Sequence, residues 1–221
     1  MSQSRQKLAE QLAEAVFQAL SEDLERQERV LLIVSGGSTP IAFFKALAAK
    51  PLPWSRIDVT LADERWVDEQ SSDSNAKLVR ENLLQGEAAA ANFVPLTSNA
   101  STPEEGVAEV AERTASLAWP ASVVILGMGD DGHTASLFPD SQELGLALST
   151  NEPLVAVRTP SQPQPRITFS AGHLHQAHRH ILHITGDDKR TVLANALNGD
   201  DVRQLPIRAF LSCPLAIYWA P

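Results

Sequence analysis

Along the first 25 residues the apolar positions return every three or four places. Leu8, Leu12, Ala15, Val16, Ala19, Leu20 and Leu24 share one face of an α-helix, while charged and amide side chains fill the other. Beyond it the period changes. Short apolar runs read as buried strands: "RVLLIV" (29–34), "IDVTLA" (57–62), "ASVVILG" (121–127), "PLVAV" (153–157), "HILHIT" (180–185) and "PLAIYW" (214–219). Helix-like stretches lie between many of them, at 40–50, 73–85, 103–118 and 187–198. Strands alternating with helices and bounded by Gly, Pro and Asn predict an α/β fold, with a largely parallel sheet and helices on both faces. The stretch 139–170, which carries "RTPSQPQPR", reads either as a long surface loop or as a small β-containing lobe. No repeat or low-complexity segment interrupts the pattern, so 1–221 is expected to form a single α/β domain.

Composition narrows the function classes. The formal charge of −9 and a pI near 5.1 leave no basic surface for phosphate neutralisation, which argues against nucleic acid. An anionic small substrate would need a local cationic pocket inside an acidic body. Cys213 is the single cysteine, so neither an intrachain disulfide nor a cysteine metal cluster is available. The longest strongly apolar run is "VLLIV", far too short to span a bilayer, and the N-terminus has no signal-peptide core. A cytoplasmic protein is expected.

Ligands of open α/β sheets bind beyond the carboxyl ends of the strands, and the chemistry-bearing residues of this chain follow the strand-like runs. The loop "VSGGSTP" (34–40) leaves N–H groups free near a helix start, a setting that suits phosphate. Gly36 and Gly37 allow the turn, and Ser38 or Thr39 can cap the helix; a plain capped turn explains this loop equally well. In "LADERWV" (61–67), an extended backbone puts Asp63 and Arg65 on one side and Glu64 on the other. Arg65 suits a phosphate, and Asp63 suits sugar hydroxyls or a base role, against the commoner alternative of a surface ion-pair cluster.

"LGMGDDGHTASLFP" (126–139) is the most telling stretch. Gly127, Gly129 and Gly132 permit close backbone approach, and His133 falls where a helix could begin. Its imidazole can take a proton from water, with Asp131 placed to orient the ring. In "HITGDDKR" (183–190), Lys189 sits in a first helical turn already supplied with Asp187 and Asp188, where a lysine is unfavourable unless it binds an anion. Arg166 in "QPRITF" is a further cation or a strand-edge cap. The cluster His173, His175, His178, His180 and His183 lacks a completing cysteine or carboxylate, so no metal site is assigned to it.

Together these blocks resemble the 6-phosphogluconolactonase family. The resemblance runs from "SGGSTP" through "DERWV", "DSN" (73–75), "GMGDDGHTASLFP", "PRITFS" and "TGDDK" to "LP" at 205–206, and rests most on the long glycine–histidine block. It implies a Rossmann-like sheet and hydrolysis of 6-phospho-D-glucono-1,5-lactone, the second step of the oxidative pentose phosphate pathway, with no metal or organic cofactor. The family's motif histidine falls on His133, the expected general base beside Asp131. Arg65, Lys189, the loop Gly36, Gly37, Ser38 and Thr39, and also Arg166, carry over as phosphate and substrate contacts. Asp63 and Gly129 join the substrate-binding set, with glycine-loop N–H groups as donors to the developing oxyanion. The chain departs from the family pattern at Asp68, where proline is frequent, and at Ala76, where an aromatic is common.

Two rival readings stand beside this one. Amino-sugar-phosphate isomerases and deaminases share the "DGH" block but carry a glutamate where this chain has Phe138. A non-catalytic sugar-phosphate sensor would be expected with a DNA-binding segment, and none precedes the first helix. The expected partner is thus a small phosphorylated sugar lactone, with no nucleic acid and no membrane, the protein being a monomer or weak homodimer.

Overall fold

The computed structural model describes residues 3–221. Its first half runs α1 (Gln3–Leu24), β1 (Val30–Val34), α2 (Ile41–Ala48), β2 (Ile57–Leu61), β3 (Asp63–Arg65), α3 (Asn75–Asn82), β4 (Asn92–Val94) and α4 (Pro103–Ala115). The second half follows as β5 (Val123–Leu126), α5 (Leu144–Ser149), β6 (Leu154–Thr159), β7 (Gln162–Phe169), α6 (Ala171–Leu174), β8 (Arg179–Thr185), α7 (Asp187–Leu197), α8 (Arg208–Leu211) and β9 (Leu215–Ala220).

Six strands form the main sheet in the order β4-β2-β1-β5-β8-β9, every neighbouring pair parallel. All residues of β1, β2 and β5 are buried, as strands covered by helices on both faces must be. The apolar face of α1 does what its period predicts: Leu8, Leu12, Val16, Leu20 and Leu24 are buried, and the helix packs along β1, β5 and β9. After β1 the chain moves outward through β2 and β4, then returns to place β5 on the other flank of β1. The connections leaving β1 and β5 therefore diverge, and a crevice opens at their carboxyl ends.

A three-stranded antiparallel sheet, β3-β7-β6, stands over that crevice. The run 153–157, read as a buried strand, lies in this sheet and not in the main one. The proline-rich stretch is accordingly the β-containing lobe of the two alternatives. Pro163 and Pro165 are tolerated in β7 because the ladder to β6 slips between the pairs Val157–Arg166 and Thr159–Gln162. Ala62 joins the two sheets: its N–H donates to the Val34 carbonyl (2.8 Å) and its carbonyl accepts from Phe169 N–H (3.0 Å). That hinge carries Asp63 and Arg65 directly over the end of β1.

Candidate active site

Beyond the ends of β1 and β5 lies a cavity of about 330 Å³. It is lined by the 35–40 loop, Asp63 and Arg65 of β3, Asn75, the 125–129 and 133–135 segments, Arg166 of β7, and His183 and Lys189. Ser35 closes its floor, its hydroxyl donating to the Ile125 carbonyl (2.9 Å). The four sequence blocks that follow strands thus converge on one cleft. Helix α2 begins without a side-chain cap, so neither Ser38 nor Thr39 plays the capping role allowed for them. Thr39 instead lies 3.4 Å from the Thr185 hydroxyl, inside the cleft.

His133 does not open a helix. It closes a tight loop in which Gly129 N–H donates to the His133 carbonyl (2.8 Å) and Gly132 N–H to the Gly129 carbonyl (3.1 Å). One Asp131 oxygen accepts from both His133 N–H (3.0 Å) and His133 Nδ1 (2.5 Å). A carboxylate can only accept, so Nδ1 carries the proton and the lone pair of the neutral ring is on Nε2. Burial pushes the Asp131 carboxyl up, but the His133 ring and backbone N–H outweigh it and hold the group below the usual carboxylate range. The imidazole rests on Phe138, ring centres 4.3 Å apart, and Phe138 is itself buried. Three amides of the loop (Gly129, Gly132 and His133) are thus already committed within it, and they are not free to serve an oxyanion.

Gly129, which lines the cleft, also makes room for the pair. A Cβ there would fall 2.1 Å from His133 Nδ1 and 2.6 Å from Asp131 Oδ1, so a side chain would occupy the place of the pair. If His133 has the base role expected from the sequence, Gly129→Ala should lower kcat about 10–100-fold with KM little changed, because the imidazole would be displaced. Steady-state kinetics checks this; wild-type kcat would show that the loop yields without moving the ring.

The cations differ in how far they are neutralised. Arg166, buried in β7, lies 3.6 Å from Asp63 Oδ2 and 5.4 Å above the Phe138 ring, so it is an interior cation rather than a strand-edge cap. Burial pulls the Arg166 guanidinium below its ordinary range. Asp63 also accepts from the Ser136 hydroxyl (2.6 Å), so its carboxylate holds two neighbours in place. Lys189, read alternatively as a solvated lysine, pairs with Asp130 at 2.8 Å. Arg65 makes no ion pair among the described residues; it donates to Asn75 Oδ1 (2.6 Å) and the Asp73 carbonyl (3.0 Å).

Glu64 points the other way, as the extended backbone required. One of its oxygens accepts from Arg65 N–H (2.7 Å) and Asn75 N–H (2.8 Å), the other from Ala76 N–H (2.7 Å) and the Ser74 hydroxyl (3.2 Å). It thereby ties β3 to the start of α3. Burial pushes Glu64 up to about 7 in spite of these donors. Sequence reasoning assigned no role to Asn75 or Ser136 and used Phe138 only to set the deaminases apart, although each lies within a block it quoted. The histidine cluster disperses: His175 and His180 bond the Ala209 and Leu174 carbonyls, His178 faces Asp23, His173 packs on Trp119, and only His183 reaches the cleft.

The family model for glucosamine-6-phosphate isomerases and 6-phosphogluconolactonase matches residues 3–219. A 6-phosphogluconolactonase of Pseudomonas aeruginosa is 46% identical over 212 residues, covering 95% of this chain and 89% of that protein. One from Rhizobium meliloti is 45% identical over 219 residues, covering 97% and 94%. The crystal structure of a 6-phosphogluconolactonase from Shewanella baltica superposes with a TM-score of 0.97 at 41% identity, covering 98% of this chain and 94% of that one. On both the whole-chain match and the shared architecture, the chain belongs to the glucosamine-6-phosphate isomerase/6-phosphogluconolactonase family.

Proposed function

We propose that the protein hydrolyses 6-phospho-D-glucono-1,5-lactone to 6-phospho-D-gluconate, the whole chain acting as one catalytic unit. The observation that carries this reading is His133, backed by Asp131 at 2.5 Å, lining a cleft that Arg65, Arg166 and Lys189 also line. His133 Nε2 takes a proton from water as the oxygen attacks the lactone carbonyl. The tetrahedral intermediate collapses by breaking the bond to the ring oxygen, which receives the proton back from the imidazolium. Asp131 stabilises that imidazolium and keeps the ring in the useful tautomer. The 36–39 loop, Arg65 and Lys189 hold the distant phosphate, and that contact fixes the lactone against the base. Arg166 supplies positive charge beside the reacting end.

The deaminase alternative wants a carboxylate at position 138, and buried Phe138 offers none. Among the described residues no helix is long and apolar enough to cross a membrane. The reading includes a cytoplasmic location and a monomer or weak homodimer. Freshly generated lactone is expected to disappear faster with the protein than spontaneously, followed by proton release at constant pH. A rate equal to the spontaneous one, with sugar phosphates still raising Tm, would instead favour a sensor.

A further inference from the structure

Strands β3 and β7 pair so that Arg65 stands directly opposite Arg166, and both side chains line the cleft. Like charges facing each other across a strand pair are destabilising unless something anionic lies between them. The two guanidiniums are handled differently. Arg166 has Asp63 at 3.6 Å as a partial counter-ion. Arg65 is held only by neutral oxygens, of which the nearer is Asn75 Oδ1 at 2.6 Å.

Asn75 is built into this position from three sides. Its backbone N–H donates to Glu64, and its side-chain Nδ2 donates to the Asp63 carbonyl (2.9 Å), which sets the amide so that Oδ1 faces Arg65. Gly36 of the phosphate-type loop is moulded onto it, since a Cβ at Gly36 would fall 1.8 Å from Oδ1. The residue is buried yet lines the cleft. A carboxylate in its place would still offer Arg65 an acceptor, but it would lose the donation to the Asp63 carbonyl and cancel the charge the substrate needs.

We infer that Asn75 is a positioning residue that aims Arg65 at the substrate's phosphate while leaving the guanidinium uncompensated. This inference rests on the proposed role of Arg65 as an anion contact. It assigns the three cations different work: Lys189 must exchange Asp130 for the ligand and Arg166 is shared with Asp63, whereas Arg65 is pre-aimed with its charge open.

The test is a double-mutant cycle over Arg65→Ala and Asn75→Ala, reading lactone KM and kcat together with the Kd of inorganic phosphate by calorimetry. Arg65→Ala is expected to raise KM and the phosphate Kd at least about tenfold, the usual worth of a charge-assisted bond. Asn75→Ala should raise both about tenfold with kcat within about threefold, and should add nothing in the Arg65→Ala background. Asn75→Asp, which keeps the acceptor oxygen but adds a charge, should raise the phosphate Kd at least as much as Asn75→Ala does. An equal cost of Asn75→Ala in both backgrounds, or an unchanged phosphate Kd in Asn75→Asp, would make Asn75 merely structural and overturn the inference. An unchanged KM and Kd in Arg65→Ala would fall on the reading of Arg65 itself, whatever Asn75 does. If Asn75→Ala does not fold, the Asn75→Asp and Arg65→Ala pair decides alone.

Discussion

Replacing His133 with alanine is expected to lower kcat on the lactone by about 10²–10⁴-fold while leaving the fold intact. The ring is partly exposed and rests on Phe138 without filling a closed core site, so Tm should move little. KM should change by no more than a few-fold, because the proposed phosphate contacts lie on the 35–40 loop, β3 and α7 and remain in place. Asp131→Asn separates orientation from basicity. The amide can present its NH2 to Nδ1, which would move the proton to Nε2 and leave no lone pair facing water. A loss of about 10–100-fold is therefore expected there, smaller than that of the alanine variant but in kcat as well. Rapid assay against the spontaneous rate checks both variants. A His133→Ala enzyme with full activity would remove the imidazole from the mechanism and leave Asp63, a carboxylate that lines the cleft, as the base to test next.

The aspartate–histidine pair was legible in the sequence because it is local: the two residues are two positions apart, and a glycine-rich turn between strand and lobe leaves few other ways to place them. The main-sheet strands were legible for a similar reason, since β1, β2 and β5 are buried on both faces and read as unbroken apolar runs. The small sheet was only half legible. β3 consists of three charged residues with no apolar alternation, and β7 carries two prolines that argue against a strand; only the pairing partners make either one extended. Long-range contacts were hidden altogether. Ser136 reaches Asp63 across 73 positions, and Asn75 at the start of α3 meets Gly36 in the loop after β1. A histidine count likewise says nothing of direction: His180 and His183 sit in one strand, yet one bonds the Leu174 carbonyl and the other edges onto Phe43 beneath the cleft.

Glu64 offers the largest expected effect on stability. Its two oxygens accept from three backbone N–H groups and the Ser74 hydroxyl, and the residue has no exposed surface. Glu64→Leu keeps the volume but strands those three N–H groups away from water, where each unsatisfied donor costs about 1–3 kcal/mol. A total loss of about 3–5 kcal/mol is expected, read as a lower urea midpoint at unchanged m. Glu64→Gln retains one acceptor oxygen and should lose roughly half as much. The pH dependence carries a sign. Burial raises Glu64 from 4.5 to about 7, so between those values the folded protein holds a proton that the unfolded chain has released. Stability from this group is therefore fully present below pH 4.5 and declines as pH rises towards about 7, by at most about 1.4 kcal/mol per unit. The stability gap between wild type and Glu64→Gln should accordingly narrow over that window. A gap that widens instead would mean that the N–H donors overcome burial and keep the carboxylate ionised. Because Arg65 and Asn75 are two of the three donors, Glu64→Leu should also raise KM in whatever fraction still folds, through the same guanidinium that Asn75 aims.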